Sequence, residues 1–291
     1  VATDTTPAYF QPPTTPRSHT EARSLPRRDF RLDVSRPAAE SKTDAMPTIR
    51  DTITTPDGTC PVTLATPDGN GPWPGVAMYP DAGGPRQTFD EMAQKLADYG
   101  YAVLVPDIYY RNGDYAPFDL NTAFSDPDER KRLMSMMGSV TPDKMAADAT
   151  AFFDYLEARP EVSGTKFGTT GYCMGGRTSL VVAGRVPERV AAAMSFHGGG
   201  LATDDPGSPH LLADKIQAAV YVGGAENDAS FTTEAAETLE KALMAADVVH
   251  TIEFYPAAHG FAVSDHAAVY DVDAANRHWN AMESFFGAHL R

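Results

Sequence analysis

The run Gly171-Tyr172-Cys173-Met174-Gly175-Gly176 constrains this chain more than any other stretch of it. It follows the β-prone segment Lys166 to Thr170 and precedes the helix-compatible segment Arg177 to Arg185. A strand that turns directly into a helix through flanking glycines forms a nucleophile elbow. The glycines let the backbone pack tightly, and the central side chain is lifted out of a strained corner. Here the central residue is a cysteine, so the turn predicts a thiol nucleophile at the end of a strand in an α/β sheet. The remainder of the chain must then supply a base, an acid and oxyanion donors.

Read in order, the chain supplies such a sheet. Val1 to Ala45 holds six prolines, few large apolar residues and seven Lys/Arg against six Asp/Glu, so an extended or disordered arm is expected over 1–45. Within it, Arg27-Arg28-Asp29-Phe30-Arg31-Leu32 resembles a twin-arginine export signal, but Asp33 to Glu40 is polar where an apolar segment is required. The chain starts with valine and meets Met46 where structure should begin, so the arm is expected to be upstream sequence or a tag, with the fold over 46–291. An intact mass of the natively expressed protein that included Val1 would contradict this.

Two β-prone runs, Thr48 to Thr55 and Cys60 to Thr66, flank Pro56-Asp57-Gly58 and predict an N-terminal hairpin. A β-α-β unit follows, with strands Gly75 to Tyr79 and Tyr101 to Val105 and a helix over Thr88 to Tyr99 carrying Phe89, Met92, Ala93 and Leu96 on one face. Continuous apolar strands suit a mostly parallel sheet buried by helices on both faces. Asp107 to Val140 reads as a long, irregular, tyrosine-rich connection that shapes a site. Thr141-Pro142-Asp143 then starts a helix running to about Arg159. Further strands are expected at Val190 to Phe196, Ala218 to Val222 and His250 to Tyr255, with helices near Thr232 to Ala246 and Ala274 to His289.

The partners of the thiol lie at two of those strand ends. Asp228 closes the loop Gly223 to Asp228, and His259 stands in Ala257-Ala258-His259-Gly260-Phe261. The order nucleophile, acid, histidine is the one that places a triad along the carboxyl edge of an open sheet. Glu226, two residues before Asp228, is the alternative orienting acid. Tyr79-Pro80-Asp81-Ala82-Gly83-Gly84 follows the first central strand, and the N–H of Ala82 with that of Met174 would make a two-donor oxyanion hole. Asp81 has two readings: a carboxylate that takes the thiol proton or holds the resting cysteine turned away, and an ordinary turn aspartate. An unneutralised carboxylate beside the sulfur would disfavour the thiolate. His19, His197, His210, His250, His266, His278 and His289 show no metal-ligand spacing and read as structural or exposed.

Charge narrows the partners. The formal net charge is −15 over 291 residues and the pI is near 4.8, which argues against a basic face for nucleic acid or anionic membranes. Cys60 and Cys173 form neither a C-x-x-C nor a disulfide framework, and no apolar run approaches a membrane span, so a soluble cytoplasmic protein is expected.

These residues together resemble the dienelactone hydrolase family of the α/β-hydrolase superfamily over nearly all of Met46 to Arg291. The G-x-C-x-G-G elbow, the acid loop ending in Asp228 and the H-x-F setting of His259-Gly260-Phe261 carry the resemblance. It implies a single α/β-hydrolase domain, and it places Asp81 where the family carries a glutamate that engages the cysteine. It also implies a substrate carboxylate held by two arginines and a tyrosine. Arg132 resembles the first arginine, with a solvated helix charge as its other reading, and Phe261 of the H-x-F setting is expected with it as a substrate-binding residue. The other two clamp positions are Val263 and Met136, so dienelactone itself is not implied.

The expectation is a hydrolase that cleaves a small-molecule ester or lactone through a Cys173-His259-Asp228 triad and a thioester. No metal or organic cofactor is implied, and the protein is expected to be a monomer or homodimer. The alternatives are a broad carboxylesterase for neutral esters and a non-catalytic ligand-binding protein on the same scaffold. A thiol redox protein lacks a resolving cysteine near Cys173.

Overall fold

The computed structural model describes residues 48–290. The expected arm, its arginine pair, His19 and Met46 lie outside the described residues. One eight-stranded sheet organises the rest, with β1 (Thr48–Thr55), β2 (Gly58–Ala65), β3 (Trp73–Tyr79), β4 (Ala102–Pro106), β5 (Val162–Tyr172), β6 (Val190–Phe196), β7 (Ala219–Asn227) and β8 (His250–Ala258) in the order β1-β2-β4-β3-β5-β6-β7-β8. The hairpin β1–β2 pairs antiparallel, with Ile53 opposite Cys60, and β2 joins β4 antiparallel. From β4 onward every pairing is parallel. This is the α/β-hydrolase arrangement, mostly parallel, with the hairpin at one edge.

The central strands are apolar on both faces because both faces are covered. On one side α1 (Gln87–Asp98) and α6 (Val272–His289) pack Phe89, Met92, Leu96, Trp279, Met282 and Phe286 against Val76, Val103 and Met194. On the other, α3 (Pro142–Glu157), α4 (Met174–Arg185) and α5 (Thr233–Ala245) bury Phe152, Phe153, Leu180, Val181, Leu239 and Leu243. In α1, α3 and α5 the buried side chains recur at three- and four-residue spacing, which turns one stripe to the sheet, whereas α4 is buried nearly all round.

One expectation fails between β4 and α3. The segment read as irregular contains a further helix, α2 (Pro127–Ser139), capped by the Asp126 carboxylate, which accepts from the N–H groups of Asp128 and Glu129. Only Leu133 and Met136 of this helix are buried, so its hydrophobic period is too weak to stand out in a polar stretch.

Candidate active site

Strands β3, β5, β7 and β8 end along one edge of the sheet, and the candidate residues follow those ends. The elbow forms as expected. Cys173 leaves β5 at φ 56° and ψ −119°, a left-handed conformation costing a non-glycine residue about 1–3 kcal/mol, and it stands at the N-cap of α4. Close approach explains the glycine at 175, where a Cβ would overlap the carbonyls of Tyr79 and Pro80. The elbow is thereby pressed against the end of β3. The sulfur is half-buried, and the positive end of α4 favours negative charge there. By contrast, Cys60 is buried in the hairpin, where desolvation and then the carboxylates of Asp148 and Asp107 push its thiol up.

Strands β7 and β8 run further than the sequence suggests, to Asn227 and Ala258, so Asp228 and His259 are the first residues beyond them. The His259 Nδ1 lies 2.7 Å from the Asp228 Oδ2. The other carboxylate oxygen accepts from the Ser230 N–H at 2.8 Å and its hydroxyl at 2.6 Å. Burial opposes charge on Asp228, yet the hydrogen bonds from His259 and Ser230 hold its carboxyl below the ordinary range. Burial likewise opposes charge on His259, but Asp228, followed by hydrogen bonding and charge from Cys173, raises the imidazole to about 10. With Nδ1 committed to Asp228, Nε2 is the nitrogen left for the sulfur. Glu226 is exposed and faces a neighbouring hollow with Thr232 and Glu234. The geometry therefore separates the two candidate acids in favour of Asp228.

Met174 opens α4, so its N–H is among those a helix start leaves without an intrahelical partner, and Ala82 lies in the turn that follows β3. Their two segments meet through Tyr109, a buried residue just after β4. Its hydroxyl donates to the Ala82 carbonyl at 2.9 Å and lies 3.2 Å from the Met174 Sδ. Nothing in the sequence links Tyr109 to these residues, 27 and 65 positions away.

Three sequence expectations need correction. Asp81 is buried but does not engage the thiol. Arg86 takes both its oxygens, with Nη1 on Oδ1 at 2.7 Å and Nη2 on Oδ2 at 2.9 Å, and the Gly83 N–H adds a third bond. Arg132 is not brought to the sulfur. Its Nε and Nη2 donate to Glu129 and its Nη1 to the Ala116 carbonyl, while its guanidinium lies 3.6 Å from the centre of the Phe118 ring. Arg132 thus fastens the tyrosine-rich segment to α2. Phe261 is fully buried, stacked on Tyr255 at 4.8 Å, and belongs to the core.

The sulfur and His259 instead open on a cavity of ≈ 540 Å³, walled by Phe124, Met137, Met174 and Arg177. Arg177, four residues after Cys173, carries no signal in the sequence beyond that of a helix start. Behind His259 sits His197, fully buried at φ 38°, with its ring centre 5.2 Å from that of His259 and neither nitrogen hydrogen-bonded among the described residues. Burial, and then the charge of His259, hold it neutral well below the ordinary imidazole range. Among the described residues no group of three or more His, Cys, Asp or Glu is arranged to hold a metal ion, and no helix is long and apolar enough to cross a membrane.

The chain's relatives fit this geometry. The model of the dienelactone hydrolase family matches residues 60–290. A Synechocystis protein provisionally named carboxymethylenebutenolidase is 28% identical over 237 residues, which span 78% of this chain and 91% of that protein. Protein usf of Aquifex pyrophilus is 28% identical over 231 residues, 78% of this chain and 92% of its own. Among solved structures, a provisionally named dienelactone hydrolase from Klebsiella pneumoniae superposes with a TM-score of 0.73 at 26% identity, covering 84% of this chain and all of that one. A dienelactone hydrolase-like promiscuous phosphotriesterase from metagenomic libraries gives 0.65 at 27% identity, covering 84% and 99%. With elbow, acid loop and histidine loop all inside the matched span, this chain belongs to the dienelactone hydrolase family of carboxylic ester hydrolases.

Proposed function

We propose that the protein hydrolyses a small ester or lactone with Cys173 as the nucleophile. The observation that carries the reading is a single imidazole, His259, held by Asp228 at 2.7 Å and lining one largely apolar cavity together with Cys173. An imidazole raised to about 10 is charged at neutral pH, and a cation beside a cysteine is the setting in which a thiolate attacks. The thiolate adds to the substrate carbonyl, and the N–H groups of Met174 and Ala82 receive the oxyanion. As the tetrahedral adduct collapses, His259 gives its proton to the departing alkoxide, leaving a thioester on Cys173. The now neutral ring takes a proton from water, and the resulting hydroxide attacks the thioester. The acid is released and the imidazolium–thiolate pair returns.

The cavity wall favours an uncharged acyl or alcohol portion. Phe124, Met137 and Met174 are apolar, Arg132 is committed elsewhere, and Arg177 directs its Nη2 toward Asp205 and the Gly207 carbonyl at 3.3 and 3.2 Å. The lactone-cleaving name carried by several relatives accords with this chemistry. Turnover of matched esters with and without a free carboxylate tests the substrate class. The neutral member is expected to have the higher kcat/KM, and a clear preference for the carboxylate would overturn that part of the reading. Cys173→Ala tests the nucleophile: hydrolysis is expected to vanish while the fold is retained, and retained turnover would refute it.

A further inference from the structure

A second ionic cluster at this sheet edge takes no part in the steps above. Arg86 is the N-cap of α1, a place where a cation opposes the helix dipole and supplies no capping oxygen, and its side chain makes no cap hydrogen bond. The guanidinium turns away to two carboxylates instead. It holds Asp81 in a two-point fork, and it holds Asp265 in another, with Nε on Oδ2 at 2.6 Å and Nη2 on Oδ1 at 2.9 Å. Its Nη1 also reaches the Gly84 carbonyl at 3.0 Å, inside the oxyanion turn. Thr88, in the first turn of α1, donates to the same Asp265 at 2.8 Å. Arg86 and Asp81 are largely buried, with side chains 15% and 5% exposed. A helix start that breaks the local rules to join the Asp81 turn to a carboxylate 179 residues beyond Arg86 is a feature for which function, rather than folding, supplies the reason.

We propose that Arg86 is a positioning residue that clamps the Asp81 oxyanion turn to the loop following His259 and keeps the Asp81 carboxylate off the Cys173 sulfur. The nucleophile is then set for reaction before substrate arrives. This rests on the reading of Cys173 as nucleophile. The elbow abuts the Pro80 carbonyl, one residue before Asp81, and Cys173 and Asp81 both act on Tyr109 beyond β4; the other charged or titratable groups around the sulfur are His259, Asp228 and Arg177 of α4. Around Asp81 they are Arg86, Tyr109 and His266, the last reached by the charges of both Asp81 and Asp265, and buried His197 backs His259. Of these, Arg86 alone is hydrogen-bonded to both loops. Without it, a bare Asp81 would repel the thiolate or capture its proton.

The test is the rate of Cys173 alkylation by iodoacetamide across pH without substrate, with the modified peptide identified by mass, alongside kcat/KM for an activated ester. Arg86→Met is expected to move the alkylation profile up by about one pH unit, about tenfold in rate at fixed pH. Adding Asp81→Asn to Arg86→Met should return it to the wild-type position, and Asp81→Asn alone should not raise it. Asp265→Asn, which leaves Asp81 on Arg86, is expected to lower kcat/KM several-fold with the alkylation profile in place. An Arg86→Met protein that only loses thermal stability, with its profile unmoved, would overturn the shielding role. Should that variant not fold, an upward shift in Asp81→Asn would overturn it equally. An unchanged kcat/KM in Asp265→Asn would overturn the clamp. Alkylation of Cys173 that leaves turnover intact would instead refute the nucleophile itself, which the profile shifts do not decide.

Discussion

Asp228 and Asp81 occupy corresponding places on the same sheet, just past the ends of β7 and β3, and both have nearly buried side chains. They hold different cations. Asp228 faces an imidazole that can lose its proton, so the charge it stabilises is available to chemistry. Asp81 faces a guanidinium that stays charged at any pH the protein meets, so its pairing is permanent. Two aspartates that look alike in sequence are thus divided by partner into one that holds an imidazole and one that holds a guanidinium. A buried carboxylate beside an active site is defined by what neutralises it.

The comparison breaks most visibly at the sulfur both loops surround. Replacing Cys173 with alanine is expected to lower kcat/KM for an activated ester by about 10⁴-fold or more, while thermal unfolding shows the fold retained. Asp228→Asn should follow with a loss of about 10²-fold or more, since the amide favours the wrong tautomer of His259. Asp81→Asn should cost less than about tenfold in the same assay, because Arg86 still holds the turn. A reversal of that order would mean that Asp81, not Asp228, serves the base.

The pH dependence of stability sharpens the same contrast. His259 is raised from an ordinary 6.5 to about 10 in the folded protein. Its contribution to stability is therefore fully present below pH 6.5 and is lost as pH rises through about 10. Asp228 is lowered on folding, so its contribution is present above the ordinary carboxylate value and is lost as pH falls through its folded value. Melting temperatures of wild type and His259→Gln should converge between pH 6.5 and 10, and a constant gap would contradict the His259–Asp228 linkage. The smallest effect is expected at Glu226→Gln, less than about twofold in kcat/KM, because this side chain is exposed and Asp228 already occupies the His259 Nδ1.

The legible and illegible parts of the molecule divide along the same line. Short-range signals were sufficient for the scaffold: α5 spans Thr233–Ala245 where the periodicity places Thr232 to Ala246, and α3 starts at the Thr141-Pro142 cap. Cys173, Asp228 and His259 were legible because each sits in its own glycine-rich or strand-terminal context, and chain order supplied the rest. The Arg86 pairing was not. Arg86 and Asp81 are five residues apart across a turn, and Asp265 is remote, so no periodicity or motif reports that their side chains meet. Arg132 misled for the converse reason, since a charge in a suggestive position carries no sign of which acceptors it will find. Glu129, three residues earlier on α2, and the Ala116 carbonyl claim it first. The helix α2 was announced by Asp126-Pro127, a cap followed by proline, but its sparse apolar stripe hid it.

The central claim, that Cys173 carries the acyl group, is tested most directly by trapping the intermediate. The protein is mixed with a slowly turned-over activated ester, quenched in acid within the burst phase and digested, and the elbow peptide is weighed. The account predicts the added mass of one acyl group on Cys173, decaying at the rate of turnover and absent from Cys173→Ala. Turnover with no adduct on Cys173, or an acyl group carried by another residue, would contradict it.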